Sequence, residues 1–415
     1  MLQGRLGSDE LYISDKVEGN FAMLRRLIDL SCSDRKPYSE ARALLDKSSV
    51  ASRDVPGAEL AQGLKLLPFA EVTYEADEFL KDFCQERGHQ VLVLEATSKP
   101  GTPAHFLCFD SEKKEAILSV RGTAAPADAL TDLAGCIEER EVANGKLYAH
   151  AGFLASAESV LRRVAAPIRD LLAPLGYGLT VTGHSLGAST ACLVTRLLQS
   201  QESTWTSQLA SIRCVAFAPC PCMDATNAAL CAEGTEEHDS LVLSFVCNDD
   251  VVPRISMQNL GRLSLLGKGA SVEEVIQLAT RGNVRETDQQ LPGKVVVLHH
   301  VPGQGKDKDT DASSEQAEVD EDANAVKDDE DGDEKVKESK DADKAPGKWT
   351  AWLGSAEDFP EIGYIELAPD GIKNHMAPYY REALAVVAAG RGVAIEAEPR
   401  VDETFLRWYK RAESQ

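Results

Sequence analysis

Nowhere in the 415 residues is there an uninterrupted apolar run of the roughly 18 residues that a membrane-spanning helix needs. The opening stretch MLQGRLGSDE also lacks the apolar core of a secretory signal. Together these absences lead to the expectation of a soluble, cytoplasmic protein that touches membranes at most peripherally. Basic charge is short as well: 44 Lys and Arg stand against 67 Asp and Glu, for a net charge of −23. A nucleic-acid backbone is therefore disfavoured as a partner, because binding one depends on neutralising phosphates with Lys and Arg. An anionic membrane surface is disfavoured for the same reason unless a local patch compensates. Ten cysteines are too few for a disulfide scaffold of this length, and several sit inside apolar runs, such as Cys192 in ACLV and Cys247 in LVLSFVC. They read as reduced, mostly buried thiols. There is no CxxC and no HExxH, and the spacing of Cys220 and Cys222 in CPC is not that of a zinc site. Neither a metal nor a cofactor is expected.

What is present is the composition of a globular protein, 43% hydrophobic and 27% charged. Residues 1–87 read as a helical flank or cap, with VEGNFAMLRRLIDL and ADEFLKDFC carrying apolar residues three and four apart. After Gly88 the pattern changes to three short strands, QVLVLEA, AHFLCFD and EAILSVRG, joined as hairpins. A helix from about Ala155 to Leu172 follows. Strands then alternate with helices: LTVTG, the helix from Leu186, IRCVAFAP, a short helix near MDATNAALCA, and SLVLSFVC. Alternation of this kind predicts an α/β fold with a mainly parallel sheet covered on both faces. Residues 88–303 form its first part and 347–415 its second. Between them, residues 304–346 differ from their surroundings: Gln304 to Lys344 holds 17 Asp or Glu against 7 Lys, and no aromatic residue. Such a segment cannot bury enough apolar surface to offset its ordering entropy, so it is expected to be disordered.

Within LTVTGHSLGASTACLVTRLL, a β-rich run precedes Gly183 and a helical run follows Ser185. That is the strand–turn–helix of a nucleophile elbow, in which Gly183 and Gly187 permit a tight turn and a close approach of helix to strand. The serine then sits at a helix N-terminus, where backbone N–H groups face a developing oxyanion. A serine hydroxyl needs a base, and the base an acid to fix its tautomer. After Ser185 the acid is read as Asp250, which ends an apolar strand and begins DVVPR; Asp249 beside it is the structural alternative, a turn or capping residue. Of eight histidines, His375 in NHMAPYY and the pair His299 and His300 at the end of KVVVLHH are the candidates for the base. His184 is expected to point away and pack, His150 to be structural, and His89, His105 and His238 to be surface or packing residues.

Four separated blocks, SVRGTAAPADALTDLAG, HAGF with GHSLGAS, NDDVVPRIS and GIKNHMAPYY, occur in an order that resembles the class 3 lipases of the α/β-hydrolase fold. The chain is most similar to the sn-1-specific diacylglycerol lipases among them. The resemblance implies a Ser185–Asp250–His375 triad. It also implies an oxyanion hole made by the Leu186 N–H and by the Thr123 N–H of RGT, and a lid or acyl-pocket wall between Thr123 and His150. Asp128 and Asp132 would cap that segment. An acylglycerol, diacylglycerol above all, is the expected substrate, cleaved through an acyl-enzyme. Phospholipase A1 or broad carboxylesterase activity, and a non-catalytic lipase-like scaffold, are the alternatives. The acidic insertion, which the resemblance places where a regulatory loop is found in the animal enzymes, has two readings: a mobile gate at the pocket mouth or a solvated loop kept for solubility. It is also a candidate for contacts with a protein partner.

Overall fold

The computed structural model describes residues 53–123, 136–143, 145–200, 205–234, 240–256, 258–259, 286–301, 348–359, 362 and 371–393. A two-residue strand β1 (Arg53–Asp54) precedes helix α1 (Gly57–Glu71), a single turn Val72–Tyr74, and helix α2 (Asp77–Glu86). In α2 the acidic Asp77 and Glu78 favour the positive end of the helix dipole, while Leu80, Phe83 and Cys84 fall on one buried face. The three predicted strands follow as an antiparallel meander, β2 (Gln90–Glu95), β3 (His105–Asp110) and β4 (Glu115–Val120). The predicted helical stretch VEGNFAMLRRLIDL lies outside the described residues, as do His238, Asp128 and Asp132.

The hairpin β5 (Ile137–Val142) and β6 (Gly145–His150) was not anticipated. IEEREV is only half-buried at its apolar positions and bears charge on both faces, so it shows no clean alternation; the Asn144-Gly145 dipeptide was the available turn signal. Helix α3 (Ala151–Pro167) begins four residues earlier than expected because the His150 ring caps it, accepting from Phe153 N at 3.4 Å. A wider helical turn continues it over Ile168–Leu172.

From here the alternation is as predicted: β7 (Gly178–His184), α4 (Leu186–Ser200), β8 (Ser211–Phe217), β9 (Met223–Asp224), α5 (Ala225–Leu230) and β10 (Val242–Cys247). Then come β11 (Gln289–Gln290), β12 (Lys294–Val301), β13 (Lys348–Gly354), a one-turn helix α6 (Gly371–His375) and α7 (Ala377–Gly390). The main sheet has the order β1-β13-β12-β10-β8-β7-β4-β3-β2. Its middle strands β4, β7, β8, β10 and β12 are parallel, and both flanks are antiparallel. Strand β10, VLSFVC, is buried along its whole length, as a strand covered on both faces must be. Helices α3 and α4 pack on one face through Val160, Val164, Ala188 and Leu193. Helices α1, α2 and α7 pack on the other through Leu66, Phe83, Tyr380 and Leu384, so the α/β-hydrolase layering is complete. The buried ion pair Glu59–Arg213 and the partly buried pair Glu71–Arg381 tie α1 to β8 and to α7. Removing Arg213 would leave the Glu59 carboxylate in the interior without its ion-pair partner. A second, four-stranded sheet runs β11-β9-β6-β5.

The acidic insertion lies outside the described residues. Strands β12 and β13, on either side of it, pair antiparallel with Val301 opposite Lys348.

Candidate active site

Ser185 lies between the last residue of β7 and the first of α4, at φ 60°. A non-glycine residue in this left-handed region costs about 1–2 kcal/mol, so its neighbours must hold it there. They do so by leaving no room for side chains. A Cβ placed on Gly183 would come within 2.7 Å of both the Gly187 carbonyl and the Val120 carbonyl. One placed on Gly187 would collide with the Val120 carbonyl and come within 2.6 Å of the Arg121 carbonyl carbon. The same geometry recurs in the next two strands: Ala218 after β8 has φ 53° and Asn248 after β10 has φ 45°. Ser185 N donates to Phe217 O at 2.9 Å, Ala218 N to Phe245 O at 2.9 Å and Asn248 N to Leu298 O at 2.7 Å. Each of these three strands thus ends in a left-handed residue anchored on its neighbour, and the chain turns out of the sheet at that edge.

His375 Nε2 lies 2.9 Å from Ser185 Oγ, and His375 Nδ1 lies 3.1 Å from each carboxylate oxygen of Asp250. An ionised carboxylate only accepts, so Nδ1 carries the proton and Nε2 is the lone pair facing the serine hydroxyl. All three side chains are buried. Asp250 Oδ1 also accepts from Val252 N at 2.9 Å, and Oδ2 from the Tyr380 hydroxyl at 2.6 Å. Tyr380 in turn accepts from Cys247 N at 3.1 Å. Tyr380 stands in NHMAPYY, five residues beyond His375, and sequence reasoning gave it no role. Arg254, the last residue of DVVPR, was likewise missed. Fully buried, it donates to Asp250 O at 3.2 Å and to Asn248 O at 2.9 Å, which fixes the turn carrying the acid. Asp249 is half-buried in that turn.

His184 does not point away. Its ring stacks on that of His375 with centroids 4.8 Å apart, and its Nε2 donates to the His375 carbonyl at 2.8 Å. Burial, reinforced by the charge His375 would carry, pushes its pKa down to about 3, so it is a neutral brace. His375 itself ends the one-turn helix α6 rather than lying in an open loop. His299 and His300 are on β12, where His300 N donates to Asn248 Oδ1 at 2.6 Å and its ring meets Trp349. His89 and His105 are buried packing residues whose pKa values burial lowers. Thr123 follows Gly122 three residues beyond the end of β4, and Leu186 opens α4 directly after the serine. Gly122 lies against the elbow: a Cβ there would be 2.6 Å from the His184 carbonyl and 3.2 Å from Ser185 Cβ. Among the described residues no group of three or more His, Cys, Asp or Glu is arranged to hold a metal. Of the nine described cysteines only Cys136 is exposed, and all are free thiols.

A hydroxyl, an imidazole and a carboxylate in this relay can generate an alkoxide for attack on an acyl carbon. This elbow in a parallel sheet is the signature of the α/β-hydrolases, and residues 117–260 match the family described as Lipase (class 3). The match takes in Ser185 and Asp250. Among curated proteins the chain is similar to human diacylglycerol lipase-alpha, 33% identical over 165 residues, which are 37% of this chain and 15% of that protein. Mouse diacylglycerol lipase-beta is 29% identical over 164 residues, 37% of this chain and 22% of its own length. The chain therefore resembles class 3 lipases and, within them, diacylglycerol lipases, while matching under a quarter of these relatives' lengths. Lipase II from Rhizopus niveus is a structural relative with 20% identity and a TM-score of 0.45, covering 60% of this chain and 83% of that one.

Proposed function

We propose that this protein is a lipase: a serine hydrolase that cleaves a carboxylic ester of acylglycerols, diacylglycerol in particular, at a lipid surface it contacts peripherally. The observation that carries the proposal is the unbroken relay from Ser185 Oγ through the His375 ring to a fully buried Asp250. Similarity to diacylglycerol lipases over 165 residues supports the choice of ester.

In this reading His375 Nε2 takes the Ser185 proton as Oγ attacks the acyl carbon. The carbonyl electron pair moves onto oxygen, where the N–H groups of Thr123 and Leu186 receive it. Asp250 keeps the proton on Nδ1 and stabilises the imidazolium. The tetrahedral intermediate then collapses, His375 Nε2 hands its proton to the departing glyceryl oxygen, and the acyl group remains on Ser185. Water, deprotonated by His375, releases the fatty acid and restores the hydroxyl.

Labelling with a fluorophosphonate tests this directly. The wild-type chain is expected to label, Ser185→Ala not at all, and His375→Ala at least about a thousandfold more slowly. Persistent labelling of Ser185→Ala would overturn the assignment. A panel of diacylglycerol, triacylglycerol, phospholipid and short soluble esters then fixes the substrate, with the fastest turnover expected on diacylglycerol.

A further inference from the structure

Tyr74 lies in the single turn after α1, before the family-matched segment 117–260 and far in sequence from every residue of the relay. Its hydroxyl oxygen accepts from Gly122 N at 3.1 Å. Its ring meets the His184 ring edge-on, with centroids 6.4 Å apart and planes at 70°. His184 is the residue that stacks on His375 and holds its carbonyl. The space these groups share is full: a Cβ on Gly122 would come within 2.6 Å of the Tyr74 hydroxyl, 2.6 Å of the His184 carbonyl and 3.2 Å of Ser185 Cβ. Burial pushes the Tyr74 hydroxyl up to about 12, so at neutral pH it meets the Gly122 amide uncharged.

We propose that Tyr74 is a positioning residue for ester hydrolysis, holding the oxyanion side of the site at a fixed distance from the base. By accepting the Gly122 N–H it fixes the residue that aims the Thr123 N–H. By backing the His184 ring it supports the brace behind His375. Donors that stabilise an oxyanion act through being placed before the charge develops, so a tether on one of them is felt in the transition state more than in substrate binding. The N-terminal helical pair, read from sequence as a flank or cap, thereby becomes part of the wall of the site. The inference rests on the proposed roles of Ser185, His375 and Thr123.

The test compares wild type with Tyr74→Phe, which removes the acceptor and keeps the ring, and with Tyr74→Gln, whose amide oxygen can accept from Gly122. The substrate is p-nitrophenyl butyrate, and the probe of the tetrahedral state is an alkyl trifluoromethyl ketone. For Tyr74→Phe, kcat is expected to fall about tenfold with KM within about twofold, and trifluoromethyl ketone affinity to weaken by the same factor as kcat. Tyr74→Gln is expected to return part of both. Unchanged kcat in Tyr74→Phe, or a loss of kcat with ketone affinity intact, would overturn the proposal. Unfolding of both variants would overturn it too, by assigning Tyr74 to the stability of the fold. Failure of the underlying reading is separate, since it appears as fluorophosphonate labelling that survives Ser185→Ala.

Discussion

The two sides of Ser185 are held in place by different physics. On the elbow side, from β7 into α4, position is set by backbone crowding, with Gly183, Gly187 and Gly122 interlocked so tightly that a methyl group fits at none of them. On the relay side, Asp250 and Arg254, His375 and Tyr380, and His184 come from three separate segments and are joined by side-chain hydrogen bonds. Steric interlocking is all or none, because a clash with a carbonyl has no partial solution. A hydrogen-bonded bracket loses one member at a time. Damage to the elbow should therefore appear as lost fold, and damage to the relay side as graded loss of rate or a shift with pH.

Gly187→Ala probes the first half of that contrast and carries the largest expected effect. The new methyl meets the Val120 carbonyl and the backbone of Arg121 and Gly122, none of which can turn aside as a side chain would. Overpacking of this kind costs about 3 kcal/mol or more, a fall in melting temperature of roughly 6–12 °C for a domain of this size. Gly176→Ala is the control: its φ of 68° strains a methyl-bearing residue, yet nothing lies within 4 Å of the added Cβ. It should cost only about 1 kcal/mol. Equal melting temperatures for the two variants would show that crowding does not hold the elbow.

The same division decides what could be read from the sequence. The elbow is contiguous, so its β-rich run, its two glycines and its helix lie side by side in LTVTGHSLGASTACLVTRLL, and the buried parallel strands announce themselves as apolar runs such as SLVLSFVC. Asp250 and His375 were legible because each sits in a short patterned block, DVVPR and NHMAPYY, and the structure brings both to Ser185. Their supports were not. Nothing in the string tells that the hydroxyl of Tyr380 turns back to Asp250, that Arg254 closes on two carbonyls, or that His184 stacks on a residue in a distant segment. Such contacts depend on how helices pack on the sheet, a property of the folded chain and not of any window of it. The hairpin of β5 and β6 escaped for a different reason: both faces of β5 are partly exposed, which removes the alternation that marks a strand.

Acid should separate the two sides further, since the glycine interlock of the elbow involves no titrating side chain, while His184, the last residue of β7, turns its ring to the relay. Unfolded, a histidine titrates near 6.5; in the folded chain burial holds His184 down to about 3. Between those values the unfolded chain binds the proton and the folded chain does not, so unfolding is favoured as pH falls. The stability of neutral His184 is thus complete above pH 6.5 and is lost progressively below it, by about 1.4 kcal/mol per pH unit. His89 and His105, also lowered by burial, add in the same direction. His184→Gln, which cannot titrate but can still donate to the His375 carbonyl, should show a shallower decline in stability between pH 6 and pH 4 by about that amount per unit. Denaturant melts at a series of pH values measure it, and parallel slopes for the two proteins would remove His184 as the acid-sensitive member.

Tyr380→Phe carries the smallest expected effect and is the sharpest test of graded loss. The variant removes the 2.6 Å bond to Asp250 Oδ2 while the carboxylate keeps Val252 N at 2.9 Å and His375 Nδ1 at 3.1 Å. It also leaves the Cys247 N–H without its acceptor, inside a strand that is buried throughout. Losing one of three bonds to a charged group that remains held by the other two should cost about 1 kcal/mol, close to fivefold in kcat, with the ring still filling its place between α7 and β10. The fold is retained because the aromatic volume is unchanged and only an oxygen is gone. Steady-state rates on a short soluble ester, with a melting curve alongside, measure both quantities. A loss of a thousandfold would mean that Asp250 is held as rigidly as the elbow, and the distinction between crowded and bracketed sides of the serine would fall.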